Sequence, residues 1–158
     1  MKKSTLLLKV AIILIGIPVL VLAVLLWAGV GDTAIQALTL GYVITGILIG
    51  ITLSMVPFYT ALYQTYKLIT YIDRNKAFSS LAVRGLRKIK QYAFIITGIY
   101  ILILPLVYIV AEWDDAPGLI LIASIPAFAA FVVGVFSSVL EYLLEEAIDI
   151  KNENDLTV

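Results

Sequence analysis

No Asp, Glu, Lys, Arg or His interrupts Val10–Val30, Thr33–Tyr66, Tyr92–Ala111 or Leu119–Leu140. An α-helix needs about 20 such residues to cross roughly 30 Å of hydrocarbon. Four such runs in 158 residues leave little from which to build a water-soluble domain, and the 62% hydrophobic content points the same way. Lipid offers the backbone no hydrogen bonds, so each run must satisfy its own as a helix. The expected fold is therefore all-α: a polytopic membrane protein with four transmembrane helices at about 10–30, 36–62, 92–111 and 119–140.

The charges orient these spans. Seven of the eleven basic residues lie in Lys67–Gln91, and Lys2, Lys3 and Lys9 precede the first span. The short connections Gly29-Val-Gly-Asp32 and Glu112-Trp-Asp-Asp-Ala-Pro-Gly118 contain none. Because Lys and Arg collect on the cytoplasmic side, both termini are expected there in the cell (cytoplasmic) membrane. Residues 1–140 then form a four-helix transmembrane bundle with a cytoplasmic hairpin at 67–91, and residues 141–158 an acidic cytoplasmic helix or tail. A cleaved signal peptide has a shorter apolar core and small residues before the cut, so the first span is expected to stay attached.

Local patterns refine the plan. Thr33–Tyr66 is longer than a bilayer requires, so the second span should tilt or protrude. Tyr59, Tyr63 and Tyr66 share a face near its basic end, as an aromatic belt or, alternatively, a ligand cage. Asp73–Phe78 breaks the helix, and Ser79 is placed as an N-cap with Phe78 stapled onto Val83. The helix that follows sets Leu81, Gly85 and Ile89 near one face and Arg84, Arg87, Lys88 and Gln91 near another, so it should lie at the headgroup boundary before turning into the third span. Pro117 and Gly118 are expected to make the second outer turn. In the tail, Leu140, Leu144, Ala147 and Ile148 form an apolar stripe beside Glu141, Glu145 and Asp149.

Each span holds one proline (Pro18, Pro57, Pro105, Pro126), read as a tolerated kink or as a gate. Gly46, Gly50 and Ser54, and likewise Ala130, Gly134 and Ser138, repeat at i+4 as small-residue helix-packing faces, either within the bundle or between protomers of a homo-oligomer. Among the remaining polar residues (Gln36, Thr45, Thr52, Ser54, Thr97, Ser124), hydroxyls are expected to bond back to their own helix or across to a neighbour.

The chain has neither Cys nor His, which removes thiol nucleophiles, imidazole bases and the commonest zinc and haem ligands. Proton relays and ion-coupled carriers usually place an ionisable group inside a span, and none lies in these. No phosphate-cradling glycine loop or nucleophile elbow occurs. The expectation is a protein that is not an enzyme and has no catalytic residues, cofactor or metal. Glu112, Asp114 and Asp115 read as a solvated turn before they read as a cation site.

Interaction chemistry remains. The candidate surface combines Asp73, Arg74, Lys76, Arg84, Arg87, Lys88 and Lys90 with Glu145, Glu146, Asp149, Glu153 and Asp155. Its basic part suits anionic lipid headgroups, the acidic tail or a docked partner. The tail sets six acids (Glu141, Glu145, Glu146, Asp149, Glu153, Asp155) against Lys151, so an anionic leaflet repels it unless basic groups meet it. Either it pairs with the Arg84–Lys90 helix, or it presents itself to a basic cytosolic protein, covering the face a DNA-binding regulator uses for phosphates. Direct nucleic-acid binding by this chain is not expected.

The turn Tyr71-Ile-Asp-Arg-Asn-Lys-Ala-Phe78, the helix Val83-Arg-Gly-Leu-Arg-Lys-Ile89 and the terminal Glu153-Asn-Asp-Leu-Thr-Val158 resemble a bacterial family of small four-span membrane proteins catalogued as domain of unknown function 2975. The likeness spans nearly the whole chain. Such members are often encoded beside a small Cro-like helix-turn-helix regulator, which implies a membrane partner for that regulator. The functional expectation is binding and sequestration of a cytosolic partner. The competing expectation is a membrane immunity or transport protein acting through its spans.

Overall fold

The computed structural model describes residues 3–36 and 39–156, with side chains described throughout these except at Ser4, 31–36 and Thr39. Within them the chain is four helices and no strand: α1 Lys3–Gln36, α2 Thr39–Asp73, α3 Ser80–Trp113 and α4 Gly118–Leu156. All four are long and apolar enough to cross a membrane. Each runs through its proline without ending. At 1.5 Å per residue they measure about 50–60 Å, so each extends well past a hydrocarbon core. Thr45, Thr52 and Thr97 donate to the carbonyl four residues back, and Ser54 and Ser124 to the one three back, as expected of hydroxyls in a lipid-facing helix. Gln36 lies outside the described side chains.

Several boundaries differ from the sequence expectation. Gly29–Asp32, read as a turn, is the continuation of α1, and the connection falls at residues 37–38, outside the described residues. A helical glycine costs only about 1 kcal/mol, less than stranding backbone groups near lipid. The basic helix does not bend into a separate span either: α3 is continuous from Ser80, because Ala82, Val83, Leu86 and Ile89 are buried by packing. Ser79 caps it, accepting from the Ala82 N–H, but Phe78 stays 57% exposed while Val83 is buried. The expected staple leaves most of that ring open.

Both described turns use the same device. In one, Asn75 sits at φ 58°, the Lys76 N–H donates to the Tyr71 carbonyl at 2.7 Å and the Asn75 N–H to Ile72 at 3.2 Å. In the other, Asp115 sits at φ 50°, with Ala116 donating to Ala111 at 2.9 Å and Asp115 to Glu112 at 3.4 Å. These are Schellman closures, whose left-handed residue is usually glycine and here is Asn or Asp, the side chains that best tolerate it. Asp115 thus makes the turn assigned to Pro117 and Gly118. Pro117 instead leads into α4, where its fixed φ suits a helix start.

The helices pack as a row. α1 lies against α2, α2 against α3 and α3 against α4, while among the described residues α1 touches neither α3 nor α4, and α2 does not reach α4. The expected bundle is therefore open. Short connections make sequence neighbours antiparallel partners, and lipid tails, as apolar as Leu, give little drive to close the ring by bringing α1 onto α4. α3, with a neighbour on each side, buries most, including Ala93, Ile103, Val107 and Ala111. On α1, Leu7 is 71% and Leu14 66% exposed, a surface only lipid suits.

The small-residue ladders serve contacts within the molecule. A Cβ on Gly50 would lie 2.7 Å from Ile103 Cδ1, and one on Gly46 3.3 Å from Leu106 Cδ1, so α2 presses onto α3 there. Ser54 is buried and shares a 3.2 Å hydrogen bond with the Tyr100 hydroxyl. On α4, a Cβ on Gly134 would meet the Phe94 ring at 2.7 Å. Ala130 and Ser138 are half-buried, and Ser137 is the serine turned fully inward.

Candidate interaction site at the basic end of the row

The start of α1, the end of α2, the start of α3 and the last turns of α4 share one end of the row, because alternate helices run in opposite directions. Two ion-paired clasps tie neighbouring helices together there.

The first joins α3 to α4. Arg87 Nε donates to Glu141 Oε1 at 2.7 Å, its Nη2 to Glu145 Oε1 at 3.2 Å, and Lys90 Nζ to Glu141 Oε2 at 2.8 Å. Arg87 and Lys90 reach one helix from adjacent turns, and Glu141 and Glu145, four apart, meet them from one face of the other. Glu141 is only 7% exposed. Burial opposes its ionisation, yet the bonds from Lys90 and Arg87 outweigh that and hold its carboxyl below the usual range. Reciprocally, the bond to Glu141 raises Arg87 above its ordinary value.

The second joins α1 to α2. Lys9 Nζ lies 3.5 Å from Asp73 Oδ2, both side chains being largely buried, and 4.9 Å from the centre of the Tyr66 ring. Thr5, also buried, bonds to Asp73. The Thr5 bond, working against burial and joined by Lys9, sets the Asp73 carboxyl below the usual carboxylate range. Further along the seam the Tyr59 hydroxyl donates to the Gly16 carbonyl at 2.6 Å and Trp27 Nε1 to Thr52 Oγ1 at 2.8 Å. Asp73, Tyr66, Tyr59 and Thr52 stand seven residues apart, so one stripe of α2 carries every polar link to α1 named here.

Of the residues singled out in sequence, the structure brings together Arg87, Lys90 and Glu145, and assigns Asp73 to the other clasp. Arg74, Lys76, Arg84 and Lys88 are exposed on the hairpin side, and Glu146, Asp149, Glu153 and Asp155 on the tail side. Glu141, one of the tail acids for which pairing with the Arg84–Lys90 helix was open, is the centre of a clasp. The expected order inverts at the head of the tail, where Glu141 is buried and Leu140 exposed, while Leu144, Ala147 and Ile148 are half-buried beside exposed Glu145 and Asp149. Lys9 and Thr5 were absent from the candidate surface. A signal for both Glu141 and Lys9 exists in their position, because a charge at the edge of an apolar run is partly desolvated and needs a partner. Tyr59, Tyr63 and Tyr66 are not a simple belt: Tyr59 bonds α1, and Lys67 Nζ lies 4.9 Å over Tyr63.

The arrangement can hold helices in register and display charge. Glu141 and Glu145 are engaged in the clasp, and the exposed acids of α4 beyond it begin at Glu146.

A family described as protein of unknown function (DUF2975) has a model that matches residues 30–158, which takes in α2, α3 and α4 whole. The chain is also 47% identical over 158 residues to the uncharacterized membrane protein YoaS of Bacillus subtilis (strain 168), with 99% of each chain covered. No solved structure matches it.

Proposed function

The chain belongs to the DUF2975 family of membrane proteins, and from that premise we propose that it recruits a basic cytosolic protein to the cytoplasmic membrane without catalysing a reaction. In this reading the basic end faces the cytoplasm, in keeping with the segregation of Lys and Arg. The partner that suits it is a small helix-turn-helix regulator, held by the face it would turn toward DNA phosphates. One observation carries the proposal: α4 continues past its clasp to Leu156 and leaves Glu146, Asp149, Glu153 and Asp155 exposed beside the single cation Lys151. A charged helix with this spacing offers carboxylates where DNA would offer phosphates, and its pull weakens as salt rises.

The clasp dictates how to test it. Reversing Arg87 or deleting from Glu141 would also part α3 from α4, so the useful variant is Glu146→Lys with Asp149→Lys and Asp155→Lys. Co-expressed with a helix-turn-helix regulator encoded beside a member of the family, the wild type should hold that regulator in the membrane fraction. The triple variant should release it, by roughly tenfold, while its own insertion is unchanged. Equal retention by both would overturn the proposal.

A further inference from the structure

The seam between α1 and α2 contains an open groove of about 330 Å³. Ile13, Ile17 and Leu20 line it from α1 and Tyr59, Tyr63 and Tyr66 from α2, each set at i, i+4 and i+7 on its helix. Gly16 forms its floor. With no side chain there, α2 approaches closely enough for the Tyr59 hydroxyl to reach the Gly16 carbonyl, and a Cβ would lie 3.4 Å from Leu62 Cδ1. The wall is apolar along its whole length.

The two ends of the groove differ. At the basic end stand Lys9 over Tyr66 and Lys67 over Tyr63, each ammonium 4.9 Å from its ring centre. Asp73 neutralises Lys9. Lys67 does not line the groove, but it forms no ion pair among the described residues and its ammonium rests on the ring of Tyr63, which does line it. A shallow apolar groove with an unpaired ammonium stacked on one of its lining rings matches an anionic amphiphile in shape and charge.

We propose that the α1–α2 groove seats one acyl chain of an acidic phospholipid from the leaflet at the basic end, with the lipid phosphate on Lys67. The chain covers Gly16 and the rims of Ile13 and Ile17, and the phosphate supplies the counter-charge that Lys67 lacks. The site is separate from the acidic tail and does not depend on the partner proposed above.

Purified full-length protein equilibrated with equal amounts of phosphatidylglycerol and phosphatidylcholine in mild detergent, then read by native mass spectrometry, tests this. The wild type should retain phosphatidylglycerol in preference, one per chain. Lys67→Gln should lower that preference about fivefold and leave the groove able to hold either lipid. Gly16→Leu fills the floor, and Ile13→Trp fills the groove from its rim without touching the helix contact; each should reduce retention of both lipids, and the second answers the case in which the first disturbs α1. Equal retention of the two lipids by the wild type, or an unchanged preference in Lys67→Gln, overturns the headgroup assignment. Unchanged retention in both filled variants overturns the groove.

Discussion

α1 and α4 are both outer helices of the row, yet they are attached by different physics. α4 joins α3 by close approach, with the Phe94 ring over Gly134, and by a clasp in which one buried carboxylate serves two cations. α1 joins α2 through polar links strung along a seven-residue stripe, with a groove left open beside them. In lipid, van der Waals fit and hydrogen bonds replace the hydrophobic drive of water, so a seam rich in the first resists parting while one reliant on the second can yield locally. On this ground the α3–α4 seam should be the stiffer of the two, and α1 the helix that parts first.

The largest expected effect is at Glu141. Glu141→Ala leaves Arg87 and Lys90 without their shared acceptor and should destabilise the fold by about 2 kcal/mol, less than the ~3–5 of a fully buried pair because Arg87 is half exposed. Detergent-titrated unfolding followed by circular dichroism measures it. Lys9→Met, by contrast, should speed hydrogen exchange in α1 while leaving α3 and α4 protected, and loss of protection across all four helices would erase the distinction between the seams. Acid should act on both clasps alike. Asp73 and Glu141 bind protons more weakly folded than unfolded, so their contribution is complete above the unfolded value of about 4 and is lost as pH falls through the lower folded value. Stability should stay flat from neutral pH to about 5 and fall below about 4.

Next come the glycines. Gly134→Ala and Gly50→Ala force a methyl group to within 2.7 Å of Phe94 and Ile103 and should each cost about 1–2 kcal/mol in the same titration. Gly98, with nothing within 4 Å, serves as the control, and its replacement by Ala should be neutral or slightly stabilising. Tyr59→Phe removes one hydrogen bond from the α1–α2 seam and is expected to cost only about 0.6 kcal/mol, visible mainly as faster exchange in α1. Apart from the Gly98 control, the smallest effect is a gain. Asp115→Gly relieves a left-handed backbone and should stabilise by about 0.5 kcal/mol, without favouring either seam.

Much of this was legible in the residues. Uncharged length marks the four spans, Ser79 announces the start of α3, and the threonines bond back to their own helices as side chains of that kind do in lipid. The Gly29–Asp32 turn was misplaced because glycine and aspartate punctuate soluble chains, whereas near a membrane the helix continues across them. Asp115 was read as part of a solvated acidic turn, while the turn itself was assigned to Pro117 and Gly118, whose reputation as turn formers is stronger. Pairing of the tail with the Arg84–Lys90 helix was one of two readings open for these charges, and only their geometry shows Arg87, Lys90, Glu141 and Glu145 spent on one another.

Sequence alone determined how many helices there are and which end gathers the cations, since length, hydropathy and charge act residue by residue along the chain. Which helices touch, and which charges pair across them, belonged to the tertiary structure. A lipid-compatible helix is almost equally content on every face, so its neighbours are chosen by fits such as Gly50 under Ile103 and Glu141 between Arg87 and Lys90, and those depend on residues far apart in sequence meeting at a few ångströms.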